Sequence, residues 1–149
     1  MDKERLDTYL LAIALETAAI VDVLKNSDEY LLASPHLIKS CKYSLIVISE
    51  AIANTLQHIL AKKFHTAVSG YTEVFIKAKN FKLLSNEMIE RLQPFIRFRN
   101  MLVHQYWRID DIVFLNNLRA GISDFKGFIH DIRKIMELNG HDPTDPAIA

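Results

Sequence analysis

The residues between Arg97 and Asp110 include the side chains best suited to chemistry in this 149-residue chain. Three arginines, one histidine, one tyrosine and the only tryptophan fall within these fourteen positions. Arginine binds phosphate through paired N–H donors, and histidine takes up or releases a proton near neutral pH. The tyrosine adds an aromatic hydroxyl. Together these groups could bind a phosphodiester and transfer protons during its cleavage.

The spacing of these groups predicts how one α-helix would distribute them. Steps of about 100° per residue put Arg97, His104 and Arg108 on one face. Arg99 lies about 140° from His104, a gap that a long arginine side chain partly closes. The spacing therefore leaves open whether Arg97 or Arg99 acts with His104. Asn100 lies four residues before His104, where its amide could hydrogen-bond the imidazole and fix the tautomer.

The rest of the chain is predicted to form a helical scaffold for this stretch. Half of the residues are hydrophobic, and the chain has only four glycines and four prolines, which favours long helices around a core. Apolar residues recur at three- and four-residue steps, which predicts an all-α, antiparallel four- to five-helix bundle in one domain, 1–138. Residues 139–149 are expected to form a flexible tail. The predicted helices cover 3–26, 35–63, 73–79, a segment beginning at 86, and 111–138.

Several residues mark where these helices begin or bend. Ser34, Thr72 and Ser85 are predicted N-caps, and Asp110 or Asp111 is predicted to cap the last helix. Pro94 lies inside the fourth segment, where proline costs about 3 kcal/mol in an unbroken helix. Either a kink or a new helix is expected there, and both would set 97–107 apart as a separately oriented piece.

The composition of the chain excludes several functional classes. The formal net charge is zero, so any contact with RNA must come from a local basic cluster. Cys41 is the only cysteine, and no Cys/His spacing resembles a zinc site, so neither a disulfide nor a metal or other cofactor is predicted. The apolar stretch from Tyr9 to Val21 contains Glu16 and is too short to span a bilayer. We therefore expect a cytoplasmic protein without a membrane partner.

The octapeptide at 99–106 resembles a known signature. HEPN-domain proteins share an Arg-x(4–6)-His-x-Tyr motif, which Arg99, His104 and Tyr106 match within the sequence RNMLVHQY. Arg97 satisfies the same spacing to the histidine. The Trp-Arg-Ile-Asp that follows at 107–110 is similar to the HepT-like toxin branch of that family, and the resemblance extends more weakly over 1–138.

This resemblance implies a metal-independent endoribonuclease, the toxin of a toxin–antitoxin system, that acts as a homodimer with both motifs facing a shared cleft. Arg99 would stabilise the phosphate and His104 would serve as general acid or base. Asn100 would position His104, and Arg97 would make a second phosphate contact. Tyr106 matches the tyrosine to which a nucleotidyltransferase antitoxin adds AMP. The implied partners are RNA rather than DNA, a second copy of the chain, and this antitoxin.

Two other hypotheses stay open at this point. The chain could be a non-catalytic subunit that docks a nucleotidyltransferase or binds nucleotides through the same basic site, or a dimerisation bundle with a relic motif. Outside the motif, Glu50 and His58 are predicted to form a buried polar pair or a dimer contact. Trp107 is predicted to be a packing or dimer anchor rather than a platform for base stacking.

Overall fold

The computed structural model describes residues 1–139, except for the side chains of Tyr106 and Asn139. Within this range the chain forms seven α-helices and one short 3-10 helix and contains no strand, which confirms the predicted all-α fold. The predicted tail lies outside the described residues, apart from Asn139, which ends the last helix. The helices are α1 (Lys3–Val23), α2 (Asp28–Leu32), α3 (Pro35–Lys63), α4 (Tyr71–Asn80), α5 (Asn86–His104), α6 (Asp111–Gly121) and α7 (Asp124–Asn139), with a 3-10 turn (Tyr106–Arg108) after α5.

Helix α3 is the centre of the bundle and packs against α1, α2, α4 and α5. Leu45, Ile48 and Leu56 on this helix are fully buried, and each such side chain stabilises the fold by about 1.5–3 kcal/mol. By length and composition alone α3 could cross a membrane, but 67% of its apolar segment is buried inside the bundle. That burial is what the core helix of a helical bundle requires.

Local capping determines where several helices begin. The Ser85 hydroxyl accepts a hydrogen bond from the Met88 backbone N–H at 3.0 Å, as an N-cap should. Asp110 rather than Asp111 caps α6, and its Oδ1 accepts from the N–H groups of Ile112 and Val113. The helix predicted to follow Ser34 does begin at Pro35, although the Ser34 side chain makes no capping hydrogen bond.

The predicted cap of α4 at Thr72 is wrong, because the helix begins at Tyr71, two residues before the predicted start at Glu73. Gly70 precedes it with a φ of +98°, a conformation that favours glycine and turns the chain sharply into the helix. The Glu73 carboxylate accepts hydrogen bonds from the backbone N–H and the hydroxyl of Ser69, both at 3.0 Å. These contacts close the turn and fix the position of Tyr71.

Helix α5 continues through Pro94, so the prediction of a new helix starting there is wrong. Proline removes the donor for the Glu90 carbonyl, but Glu90 is exposed and water can replace the lost hydrogen bond. The neighbouring Phe95 and Phe98 are buried, and their packing offsets the cost of the proline. The helix then ends at His104, so residues 97–107 are not one separate rigid piece.

The single last helix predicted over 111–138 is also wrong, because α6 ends at Gly121 and α7 begins at Asp124. A Cβ atom added to Gly121 would lie 2.7 Å from Cζ of Phe95, so glycine is needed for the close approach of α5. Aromatic pairs hold α5 on both sides. Phe95 packs on Phe125 of α7 with ring centroids 4.8 Å apart, and Phe98 meets Phe114 of α6 at 5.3 Å. The last two helices therefore pack against α5, the helix that carries the motif.

Candidate functional site

Arg99 is anchored by contacts with three different helices. Its Nε donates to Oε1 of Glu50 on α3 at 3.0 Å, and its Nη2 donates to the same oxygen. Its guanidinium lies 4.1 Å from the ring centroid of Tyr71 on α4, a geometry in which a cation is attracted to an aromatic face. Its Nη1 donates to Oδ1 of Asn100 at 3.3 Å. The Arg99 side chain is 14% exposed, so the fold fixes this cation at the protein surface.

Tyr71 forms the platform beneath Arg99, and no feature of the sequence pattern pointed to it. It is the first residue of α4, so the turn at Gly70 places its ring. Burial raises the pKa of the Tyr71 phenol to about 12, while its hydrogen bond with Ser49 and the nearby Arg99 charge act in the opposite direction. The phenol is therefore neutral at physiological pH.

Glu50 and His58 do not form the predicted buried pair, because each contacts a different residue. Glu50 binds Arg99, as described above. Nε2 of His58 accepts a hydrogen bond from the backbone N–H of Asp2 at 3.0 Å. Burial, followed by the positive charge of Arg5, lowers the pKa of His58, so this imidazole is neutral and part of the scaffold. A role for either residue at a dimer contact stays a prediction.

His104 is the last residue of α5, and its side chain is exposed. Its position at the end of a helix leaves the imidazole accessible to a ligand. Asn100 does not hydrogen-bond it within the described part of the chain, since its amide oxygen accepts from Arg99 instead. Asn100 therefore supports the arginine rather than the histidine. The structure holds Arg99 against Glu50 and leaves Arg97 exposed on the helix face of His104.

Arg108 is not on the same helix as Arg97, contrary to the prediction, because α5 ends before it. The 3-10 turn nevertheless brings Arg108 back to an open groove of about 280 Å³ between α5 and α6. We call this the arginine groove. Its lining includes Arg97, Phe98, Met101, Arg108, Asp110 and Asn117.

Trp107 extends from this 3-10 turn into solvent with 79% of its surface exposed. It therefore packs little against the described part of the chain, and of its two predicted structural roles only that of a dimer anchor stays open. The backbone of Tyr106 opens the same turn, two residues after His104. Among the described residues, no group of three or more His, Cys, Asp or Glu side chains could hold a metal ion.

Comparison with known proteins gives one family and several similar structures. The family described as "Ribonuclease HepT-like" matches residues 13–132. No curated protein matches the sequence significantly. The tri-AMPylated HEPN toxin of Shewanella oneidensis, solved in complex with MNT antitoxin, has a TM-score of 0.80 at 18% identity and covers 90% of this chain and 99% of its own. A toxin–antitoxin complex with AMP-PNP has a TM-score of 0.79 at 17% identity, covering 89% and 99%.

A third similar structure carries no assigned activity. The cytosolic protein of unknown function YutE from Bacillus subtilis has a TM-score of 0.76 at 16% identity and covers 93% of both chains. At these identities the solved structures establish a shared fold.

Proposed function

The chain belongs to the HepT-like ribonuclease family, and we propose that it is the toxin of a toxin–antitoxin system that cleaves RNA without a metal ion. One observation carries this proposal. The same helix bears a guanidinium held in place by Glu50 and Tyr71 and, at its end, an exposed imidazole. These are the groups required to bind a phosphodiester and to move a proton at it.

The ion pair with Glu50 leaves Arg99 able to bind phosphate. A guanidinium carries five N–H donors. Glu50 accepts from Nε and Nη2, and Asn100 accepts from Nη1. One N–H on Nη1 and one on Nη2 remain, and these two could donate to a phosphate in a bidentate arrangement. Glu50 and Asn100 thus act as positioning residues for Arg99.

The proposed cleavage is an internal transfer within RNA. The 2′-oxygen attacks the phosphorus while its proton passes to a base, and the bond from phosphorus to the 5′-oxygen breaks as that oxygen gains a proton. The products are a 2′,3′-cyclic phosphate and a 5′-hydroxyl. Arg99 would stabilise the charge on the phosphorane, and Arg97 would make a second contact, with a neighbouring phosphate of the RNA. One His104 can serve as base or acid, and a homodimer would supply a second His104 for the other role.

We further propose that a nucleotidyltransferase antitoxin silences the chain by adding AMP to Tyr106. The Shewanella oneidensis toxin that shares this fold is AMPylated in its complex with MNT antitoxin. An adenylate two residues from His104 would add bulk and negative charge where RNA must bind. A toxin with this partner and an RNA substrate would act in the cytoplasm.

The test is cleavage of end-labelled RNA in EDTA by protein produced without any partner. Intact mass first establishes that the chain carries no adduct. His104→Ala is compared with His130→Ala, which alters another exposed histidine, on α7. We expect the wild type and His130→Ala to leave cyclic-phosphate ends and His104→Ala to be inactive. Equal activity in wild type and His104→Ala would refute the proposal.

The alternative is a non-catalytic subunit that binds nucleotides or docks a nucleotidyltransferase. The ion pair between Glu50 and Arg99 favours this alternative, because the Glu50 carboxylate offsets the positive charge that Arg99 would otherwise offer to a phosphorane. Nucleotide binding without RNA cleavage, lost in Arg99→Ala, would support this alternative. Arg91→Ala is the matched control, since Arg91 lies on the same helix and, among the described residues, pairs with Glu87 alone.

A further inference from the structure

We propose that the arginine groove binds one nucleotide of the RNA beside the scissile phosphate and favours guanine there. The inference rests on the proposed function, because it takes the α5 motif to be a centre of RNA cleavage. It adds a substrate-binding site and a specificity that cleavage through Arg99 and His104 does not require.

The position of the groove suits a nucleotide next to the one being cleaved. Arg97 and His104 are seven residues apart on one face of α5, which corresponds to about 10 Å along the helix. A strand whose phosphate reaches His104 would therefore pass over the groove. Its volume of about 280 Å³ gives room for a base, and Phe98, Met101 and Val113 provide the apolar walls against which a base can pack.

Two cations in the groove are available for a phosphate. Arg97 is exposed and makes no hydrogen bond or ion pair with another described residue. The guanidinium of Arg108 donates to one described residue, from Nη1 to Oε1 of Gln105 at 3.1 Å, so its remaining N–H groups are unused by the described residues. Guanidinium groups of this kind bind the phosphates that flank a base.

The α6 side of the groove offers hydrogen-bond acceptors. Oδ1 of Asp110 caps α6, whereas no described donor binds its Oδ2. Nδ2 of Asn117 donates to the carbonyl of Val113 at 2.9 Å, which orients this amide and leaves its oxygen as an acceptor. Guanine is the only one of the four RNA bases with two neighbouring donor groups on its Watson–Crick edge, N1–H and the N2 amine. Unstacked bases in single-stranded RNA are recognised on that edge.

The first experiment measures binding without relying on cleavage. GMP and AMP are titrated in EDTA into His104→Ala, into His104→Ala with Asp110→Asn, and into His104→Ala with Asn117→Ala. Asparagine is as good an N-cap as aspartate, so Asp110→Asn keeps α6 while it replaces an acceptor with a donor. Asp131→Asn, on α7, is the matched control. We expect GMP to bind at least about tenfold more tightly than AMP, and Asp110→Asn to remove that preference.

The second experiment measures cleavage of RNAs in which one guanosine is moved through an otherwise adenosine-rich strand. We expect kcat/KM to be highest with guanosine at one fixed position beside the cut, and this preference to be lost in Asp110→Asn and Asn117→Ala. Equal binding of GMP and AMP, or a guanosine preference unchanged in both variants, would overturn the groove assignment. Failure of the proposed function is distinct, since it would appear as absence of cleavage in the wild type. Circular dichroism checks that each variant is folded. If Asp110→Asn does not fold, Asn117→Ala still tests the groove assignment.

Discussion

Substitution by alanine is expected to have opposite effects on stability at the two glycines of α6 and α7. Replacing Gly121 with alanine would place a methyl group 2.7 Å from Cζ and 2.8 Å from Cε2 of Phe95. Phe95 is 3% exposed and its ring packs on Phe125, so a shift of the ring would disrupt core packing and cost free energy. Replacing Gly127 would place a methyl group 3.2 Å from Cε of Met88, the flexible end of a long side chain.

The magnitudes follow from overpacking and helix propensity. Overpacking a well-filled core costs about 1–3 kcal/mol, and alanine in a helix recovers up to about 1 kcal/mol relative to glycine. Because Gly121 is the last residue of α6, it recovers less, and we expect Gly121→Ala to lower the free energy of unfolding by about 1–2 kcal/mol. Gly127→Ala, inside α7, should raise it by about 0.5–1 kcal/mol.

Urea denaturation followed by circular dichroism measures both free energies on the same footing. A third variant tests the cause, since Phe95→Leu removes the ring edge that Gly121→Ala would meet. In that background Gly121→Ala should cost about 1 kcal/mol less than in the wild type. Equal effects of the two glycine substitutions, or no coupling between Gly121 and Phe95, would refute the explanation of Gly121 as a close-approach residue.

Three further predictions concern the site and the scaffold. Arg99→Lys should reduce RNA cleavage about a hundredfold, because lysine cannot reproduce the paired donors to Glu50. Arg91→Lys should cleave RNA as the wild type does, and equal cleavage rates of the two variants would contradict the anchoring role of Arg99. The pKa of His58 is lowered in the folded state, so its contribution to stability is present above about pH 6.5 and is lost as the pH falls below it. The urea midpoints at pH 7.5 and pH 5 should therefore differ less in His58→Gln than in the wild type or His130→Gln. The same pH dependence in all three proteins would contradict this role of His58. If Trp107 anchors a homodimer, its fluorescence should shift to the blue as protein concentration rises, and an unchanged spectrum across a dimerisation seen by sedimentation would exclude that role.

Features governed by neighbours in the sequence were predictable. The apolar stripes of α1 and α3 and the cap at Ser85 depend on residues within a few positions, and the structure has them where they were expected. Of the two aspartates predicted as caps of α6, the structure has Asp110. The Arg-x(4–6)-His-x-Tyr spacing is likewise local. It identified the family that the comparison with known proteins then gave.

Features that depend on tertiary partners were not predictable. Periodicity indicates which face of a helix is buried but not what that face meets, so neither the Glu50–Arg99 pair, 49 residues apart in the chain, nor Tyr71 beneath it could be derived. The alternative of a new helix at Pro94 failed because core packing outweighs the intrinsic cost of proline. The break after Gly121 was missed because the apolar periodicity continues across it, so the pattern does not mark where α6 ends.

The two aromatic pairs that hold α5 affect when this helix can become stable during synthesis on the ribosome. The motif helix ends at His104, but the rings that hold it come later in the chain, at Phe114 and Phe125. At typical rates of about 5–20 residues per second, Phe114 follows His104 by about 0.5–2 seconds and Phe125 by about 1–4 seconds. Until then α1 to α4 can pack while α5 lacks its outer support. For the toxin proposed above, this order of emergence would delay a competent site until nearly the whole fold is made, and it would give an antitoxin an interval in which to act.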